Sequence, residues 1–185
     1  MDAIQPETEL DARFSSPGAT ATEWSLAVDA LANAEIYWLS TVRPDGRPHV
    51  TPLIAVWSES ALCVTTGPDE RKAKNLAGNT HCAVTTGSST LSEGLDLVLE
   101  GDAIRVTDAD RLQQLVDAFA SKYGTDPWHF TVGDAAFRNE RGGTALVFEI
   151  MPRTVFGFGK GGTYSQTAWR FPDRQGSSGS PDAGD

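Results

Sequence analysis

The sequence is poor in the residues on which secreted, metal-binding and nucleic-acid-binding proteins depend. Its 185 residues include two cysteines and three histidines, and 15 Lys and Arg residues stand against 25 Asp and Glu residues, for a formal net charge of −10. Two cysteines cannot form a disulfide framework, so we expect Cys63 and Cys82 to be reduced and buried. Without a broad basic surface, neither nucleic acid nor an anionic membrane is expected as a partner.

The sequence also lacks a recognisable targeting segment and a membrane span. Its first residues have neither the basic nor the apolar region of a signal peptide, and no apolar run is long enough to cross a bilayer. We therefore expect a cytoplasmic protein with one domain and a sizeable core. Composition predicts a mobile N-terminal arm over residues 1–19, a folded domain over residues 20–171 and a disordered tail over residues 172–185.

Three segments have the apolar spacing and the end signals of helices. They are TATEWSLAVDALANA (20–34), RKAKNLAG (71–78) and DADRLQQLVDAFASKYG (108–124). In the third segment, Asp108 is a good N-terminal cap and Gly124 a good C-terminal stop.

Short β-like runs joined by short turns predict at least six antiparallel strands. Because these strands follow one another instead of alternating with helices, they indicate a closed barrel and not a doubly wound sheet. Gly101 interrupts one long run and predicts a bulge or bend there. The runs begin at Glu35, Arg47, Ala61, His81, Leu95, Thr144, Thr154 and Tyr164.

Positive charge is concentrated in GPDERKAKNL (67–76), which contains Arg71, Lys72 and Lys74. A strand, a Gly-Pro turn and a helix start would place backbone N–H groups and the positive end of a helix dipole at one point. Basic side chains there oppose the dipole unless an anion binds, and an Arg fork beside a Lys point charge suits a phosphate monoester. The alternative is a solvated helix face whose charges aid solubility.

Three segments together resemble the flavin-binding split barrels related to pyridoxamine 5′-phosphate oxidase. They are WLSTVRPDGRPHVTPLIAVW, LCVTTGPDERKAKNLAGN and LDLVLEGDAIRVTD, and the resemblance extends over about residues 24–171. It implies a mainly β protein with helices, built as a six- to seven-stranded antiparallel split β-barrel. It also implies FMN as the cofactor, with a deazaflavin coenzyme as the alternative, and a homodimer that holds each cofactor between two chains.

The resemblance also implies roles for individual residues. Arg71 and Lys72 match the pair that holds the flavin phosphate, and Lys74 lies beside them. The strand end at Thr65 and Thr66 approaches the ring and ribityl region. The residues expected along the isoalloxazine ring are Thr51, Pro52, Leu53 and Val56.

Further candidate contacts lie towards the C-terminus. Asp96 stands where the oxidase pattern has a polar flavin contact, although a strand-edge Asp facing water is an equal alternative. The segment FGFGKGGTYSQTAWRF (156–171) resembles the end of actinobacterial members that bind FMN or a deazaflavin. By that resemblance Arg170 contacts the cofactor, often from the partner subunit, with Lys160 and Trp169 as neighbours.

One departure from the family pattern bears on the substrate. The oxidase carries an Arg-Leu-His-Asp-Arg run that grips its substrate, whereas this sequence reads Gln166, Thr167, Ala168, Trp169 and Arg170. We therefore expect hydride transfer to or from another small organic molecule, with the chemistry supplied by the cofactor. No residue stands out as a catalytic acid or base. The alternatives are a deazaflavin-dependent reductase and a non-enzymatic carrier of flavin or haem.

Overall fold

The computed structural model describes residues 5–126, 129–140 and 142–172. These residues form eleven strands and three α-helices. The helices are α1 (Trp24–Asn33), α2 (Arg71–Gly78) and α3 (Ala109–Tyr123). The strands are β1 (Glu7–Leu10), β2 (Tyr37–Val42), β3 (Pro48–Leu53), β4 (Ala55–Ser58), β5 (Ala61–Thr66), β6 (His81–Thr86), β7 (Gly94–Val106), β8 (Phe130–Gly133), β9 (Ala136–Asn139), β10 (Thr144–Lys160) and β11 (Ser165–Arg170). None of the described helices has the length and the apolar character needed to span a membrane.

All the strand pairs are antiparallel, and β10 is the strand that organises the sheet. Over its 17 residues it pairs with β5, β7, β9 and β11. The order β1-β11-β10-β7-β6-β2-β3 forms one side of the sheet, and β4 and β5 continue from β10 on the other. The two ends, β3 and β4, are consecutive in the chain and separated only by Ile54.

The predicted mainly β split barrel is confirmed, but the prediction of a closed hydrogen-bonded barrel is wrong. No described ladder joins β3 to β4, so the sheet curls around its core without closing. The strand count exceeds the predicted six or seven because β1, β8 and β9 carry weak local signals. In addition, the run that begins at Arg47 bends sharply and divides into β3 and β4.

The bend predicted at Gly101 is present and lies opposite a bulge in β10. The register between β7 and β10 shifts between Pro152 and Thr154, across from Gly101. A Cβ atom on Gly101 would lie 2.1 Å from the carbonyl oxygen of Met151. No side chain fits at that distance, so the close approach of the two strands requires glycine.

The segment predicted as a mobile arm, residues 1–19, is hydrogen-bonded to the sheet over much of its described part. Strand β1 pairs with β11. The backbone N–H group of Asp11 donates to the carbonyl oxygen of Gln166, and that of Ser16 donates to the carbonyl oxygen of Tyr164, both at 2.8 Å. Because backbone hydrogen bonds anchor this segment, its polar composition did not reveal the anchoring. Residues 1–4 and 173–185 lie outside the described residues, and so does nearly all of the predicted tail.

Two apolar clusters form the core. The first fills the barrel and includes Leu39, Leu99, Ile150 and Trp169. The second lies between the sheet, α3 and the β8–β9 hairpin. Cys63 and Cys82 are free and buried as predicted, and burial raises the pKa of each thiol to about 12.

Candidate cofactor site at the α2 end of the barrel

Helix α2 connects β5 to β6 and covers one end of the barrel. It begins at Arg71 as predicted, and it buries Lys72 and Asn75 together with Ala73 and Leu76. The buried polar and charged residues of the described chain are Thr41, Thr66, Lys72, Asn75 and Thr167. The first four lie on α2 or on the strand ends beside it, so this end of the barrel is where the fold buries polar groups.

The start of α2 already holds an anion, the carboxylate of Glu70. Its Oε1 accepts a hydrogen bond from the Gly67 N–H group at 2.7 Å, and its Oε2 pairs with the Nζ of Lys72. Burial alone would raise the pKa of Glu70, but donation by Lys72, the Gly67 N–H group and Thr66 outweighs burial and lowers that pKa. A carboxylate therefore lies where the sequence predicts a phosphate.

The other two basic residues of the cluster are open to solvent. Arg71 is exposed at the first position of α2, and no residue in the described ranges pairs with its guanidinium. Lys74 is 3.8 Å from the exposed carboxylate of Asp69, which makes a weak surface pair. Arg71 is thus available to an incoming anion, whereas Lys72 must first exchange its partner.

Two buried polar atoms beneath α2 lack hydrogen-bond partners among the described residues. They are the Oδ1 of Asn75 and the Nδ1 of His49. The Nδ2 of Asn75 donates to the Oγ1 of Thr41 at 2.9 Å, and His49 is the cross-strand neighbour of Thr41. Buried polar groups are normally satisfied by protein, water or a ligand, so this region of the structure fits a polar ligand. No local sequence pattern marks Glu70, Asn75 or His49 as site residues, because their roles depend on contacts made in the fold.

The residues predicted along the flavin ring divide into two groups. Thr51, Pro52 and Leu53 lie on β3, against which α2 packs, and Thr65 and Thr66 end β5 just before the helix. Thr65 and Thr66 therefore lie just before Arg71 and Lys72, whereas Pro52 and Leu53 lie at the end of β3 that pairs with Trp38 and Tyr37, away from the contact between Asn75 and Thr41. Val56, by contrast, is buried in the second apolar cluster beside α3, so its side chain is not available to a ligand.

The C-terminal candidates lie away from α2 in the single chain. Lys160 is 2.9 Å from the Oδ2 of Asp96 and also donates to the carbonyl oxygens of Ser88 and Thr90, so it holds a loop. The ladder between β6 and β7 places Asp96 beyond Thr86, at the end of β6 remote from α2. One chain alone does not bring this pair to Arg71 and Lys72.

The last two candidates also have partners within the chain. Trp169 is fully buried in the barrel core, where its ring packs against Trp24 at 5.4 Å. The expectation that its side chain neighbours a cofactor is therefore corrected, because the apolar core holds it. Arg170 pairs with Glu9 of β1 at 2.6 Å, a contact that the mobile-arm prediction did not include.

A second polar cluster lines a cavity of about 520 Å³ on the outer face of the sheet. The Nδ1 of His81 is 2.6 Å from Asp102, and Arg153 pairs with the other oxygen of the same carboxylate. Burial alone would raise the pKa of Asp102, but Arg153 and His81 outweigh it and lower that pKa. This cluster is not visible in the sequence because its members are far apart in the chain. Across the described residues, no group of His, Cys, Asp and Glu forms a metal-binding arrangement.

Comparison with known proteins identifies the family of this chain. A family model described as pyridoxamine 5′-phosphate oxidase matches residues 26–158. The chain belongs to the pyridoxamine 5′-phosphate oxidase family. No curated protein matches the sequence significantly.

Solved structures of distant relatives share the family fold. A FAD-binding protein from Mesorhizobium loti is 17% identical, with a TM-score of 0.56 over 89% of this chain and 98% of its own. General Stress Protein 26 from Bacillus anthracis is 17% identical, with a TM-score of 0.53 over 72% of this chain and 91% of its own.

A heme-binding protein from Mycobacterium smegmatis is 14% identical, with a TM-score of 0.61 over 80% of this chain. The match spans 59% of that protein's length. At these identities the similarity shows the fold alone.

Proposed function

We propose that this family member binds FMN and serves as an oxidoreductase for a small organic molecule. The observation that carries the proposal is the start of α2, where Arg71 is open and the nearly buried Lys72 lies beside backbone N–H groups. A helix start of this kind with an Arg and a Lys binds phosphate esters. A bound flavin would supply the hydride chemistry.

The chain's own residues would hold and orient the cofactor. Arg71 and Lys72 would hold the phosphate, and the adjoining strand β3 would lie beside the ring. The unpaired atoms of Asn75 and His49 would offer further polar contacts beneath α2. Asp96 and Lys160 would contribute from a partner chain, because their own chain holds them away from α2, and Arg170 would first have to leave Glu9.

The substrate we propose is a neutral or conjugated acceptor, such as a quinone or an enone. The oxidase pattern requires an Arg and a His where this chain has Gln166 and Ala168. Ala168 is buried, and its neighbours across the sheet are Phe156 of β10 and Glu9 of β1. A phosphorylated pyridine would find no positively charged partner at Gln166 or Ala168, and unpaired charge is costly to bury.

A titration of the purified apoprotein with FMN and with riboflavin tests the phosphate assignment. Arg71→Ala and Lys72→Ala should each weaken FMN binding by about 1.5–3 kcal/mol, the range for hydrogen bonds to charged groups. Riboflavin lacks the phosphate, so it should bind poorly and lose little in either variant. Arg13→Ala removes an exposed arginine elsewhere and is the charge-matched control. Equal losses for FMN and riboflavin would contradict the assignment.

The same preparation distinguishes the alternative cofactors. A deazaflavin coenzyme that binds more tightly than FMN would replace FMN in the proposal. A Soret band and no flavin binding would favour the haem carrier, and a colourless protein that binds none of these groups would rule out all three.

We also propose that the protein is a homodimer, since one sheet face is apolar and uncovered. Trp38 and Val42 of β2 share this face with Pro52, Val50 and Pro48, which lie opposite the outward residues of β2 in β3. The side chain of Trp38 is 49% exposed. Contiguous apolar patches of this kind mark interaction sites. The terminal Trp169 cannot contribute, because it is buried in its own chain.

Light scattering of the wild type and of Trp38→Glu tests the dimer. We expect a dimer for the wild type and a monomer for the variant. Leu91→Glu changes a more exposed leucine in the loop before β7 and should leave the dimer intact. A monomeric wild type that binds its cofactor fully would contradict the proposal.

A further inference from the structure

Glu70 stands at the N-cap position of α2 but does not cap the helix. Its side chain makes no capping hydrogen bond to the helix N–H groups. It turns back instead to the Gly67 N–H group and to the ammonium of Lys72. The carboxylate thus binds the turn and the lysine instead of the helix N–H groups. Helix capping therefore does not explain why a glutamate stands at this position.

The groups that Glu70 contacts are those that bind a phosphate. A backbone N–H group at a turn and an ammonium at a helix start are common donors to phosphate oxygens. Lys72 is only 8% exposed, so its charge needs an anion close by. The carboxylate provides that anion from within the chain.

The Glu70 side chain is exposed enough to move away from its partners into solvent, whereas the Lys72 side chain is not. The glutamate side chain is 52% exposed, whereas the lysine side chain is 10% exposed. Rotation of the Glu70 side chain into solvent would free the Gly67 N–H group and the Lys72 ammonium together. An incoming phosphate monoester carries more negative charge than a carboxylate and offers three acceptor oxygens, so it can replace Glu70 on both donors.

We propose that Glu70 is an internal anion that occupies the phosphate position and is displaced when a phosphorylated cofactor binds. This inference rests on the proposed function, because it concerns the same site. It gives Glu70 a role in selectivity. A flavin without a phosphate cannot compete with the carboxylate, whereas a phosphorylated one can.

The binding test compares Glu70→Gln with Asp69→Asn. Both substitutions remove one negative charge and keep the shape of the side chain. Asp69 is fully exposed, and its ion-pair partner is Lys74 at 3.8 Å. We expect Glu70→Gln to lower the Kd for FMN about tenfold, because the competing charge is gone, whereas Asp69→Asn should change it about twofold at most. Riboflavin binding should stay unchanged in both variants.

A thermal test covers the case in which Glu70→Gln folds poorly, since its Lys72 loses the counter-charge. The probe is inorganic phosphate, added to each protein at constant ionic strength. The Tm of Glu70→Gln should be lower than that of the wild type in phosphate-free buffer, and phosphate should raise it more than it raises the Tm of the wild type or of Asp69→Asn.

The outcomes separate this inference from the proposed function. If FMN binds the wild type through its phosphate and Glu70→Gln behaves like Asp69→Asn in both tests, the inference is wrong and the function stands. If no flavin binds any variant but phosphate selectively stabilises Glu70→Gln, the internal anion stands and the cofactor assignment is wrong. Weaker FMN binding by Glu70→Gln would also overturn the inference.

Discussion

Helices α2 and α3 both pack against the barrel, but they bury different kinds of side chain. The buried residues of α3 are Leu112, Leu115 and Phe119, all apolar, whereas α2 buries Lys72 and Asn75 alongside its apolar residues. The second apolar cluster, which α3 covers, consists of Val56, Ala61, Cys63, Val106, Leu112, Leu115, Phe119, Phe130, Phe137 and Val147. The α2 end instead buries polar side chains and contains two of the four unpaired buried side-chain atoms among the described residues, the Oδ1 of Asn75 and the Nδ1 of His49; the other two belong to Arg105 and Trp169.

The ends of the two helices differ in the same way. The carboxylate of Asp108 caps α3 by accepting from the Arg111 N–H group at 2.8 Å, and Gly124 ends the helix with a φ of +77°. The N-cap residue of α2, Glu70, makes no capping bond and pairs with Lys72. Helix α3 is thus built for stability, whereas α2 gives up stabilising contacts at the place where an anion would bind.

The C-terminal turn of α3 also stabilises the split in the barrel. The hydroxyl of Tyr123 accepts from the Ala55 N–H group at 3.1 Å and donates to the Ala55 carbonyl oxygen at 2.8 Å. The Nζ of Lys122 donates to the same carbonyl at 3.0 Å and to the Tyr37 hydroxyl at 2.8 Å. Ala55 begins β4, directly after the break between β3 and β4, so α3 satisfies backbone groups that a closed sheet would have paired.

The largest effect on stability is expected from Phe119→Ala, which removes a ring from the apolar cluster beneath α3. The Phe119 ring is fully buried and packs edge-to-face on Phe130 and Phe137, with ring centroids 5.9 and 6.0 Å away. Losing it should lower the free energy of unfolding by about 3–5 kcal/mol, as for other buried Phe truncations. Urea denaturation measures this loss. FMN affinity of the folded variant should not change, and a loss confined to FMN binding would contradict the division between the helices.

An intermediate effect is expected from Asp108→Ala. Removing the N-cap side chain of α3 should cost about 1 kcal/mol of unfolding free energy. Asp110→Ala removes an acidic residue from the same first turn that makes no capping bond, so it should cost only a few tenths of a kcal/mol. Thermal or urea unfolding of the two variants gives the difference, and equal losses would show that Asp108 acts through charge alone.

The smallest effect on stability is expected from Asn75→Leu at the α2 end. Asn75 is buried and its Oδ1 has no partner in the described structure, so an apolar replacement of similar size removes an unsatisfied group. The free energy of unfolding should change by less than about 1 kcal/mol, because the lost bond to Thr41 is offset. FMN binding should weaken. A stability loss as large as that of Phe119→Ala would show that Asn75 contributes to stability as much as a core residue does, and would contradict the contrast between the two helices.

Local signals made both helices predictable. The range of α2 follows from its apolar spacing, and the two ends of α3 follow from the cap at Asp108 and the stop at Gly124. These signals act within a few residues. The bend at Gly101 was predictable for the same reason. The strand β1 was not, because its backbone bonds reach β11, more than 150 residues later. The division of one run into β3 and β4 also depends on the curvature of the whole sheet.

The candidate site was predictable only in part. The cluster of Arg71, Lys72 and Lys74 was visible because the three residues are adjacent in the chain and follow a turn. The ion pairs of these residues were not predictable. Lys72 pairs with Glu70, whereas the side chain of Arg71 is exposed to solvent. The burial of Trp169 and the pair formed by Asp96 and Lys160 depend on which strands become neighbours.

The amino-acid sequence by itself determined the class of fold, the helix ends and the place where positive charge meets a helix start, because each depends on residues close together in the chain. Only the tertiary structure decided which polar atoms lack partners, which candidate residues are held apart and that the Glu70 carboxylate pairs with Lys72 at the start of α2. These features depend on burial and on contacts between distant segments. Burial turns an exposed charge into one that needs a counter-ion, and only the folded chain shows which group provides it.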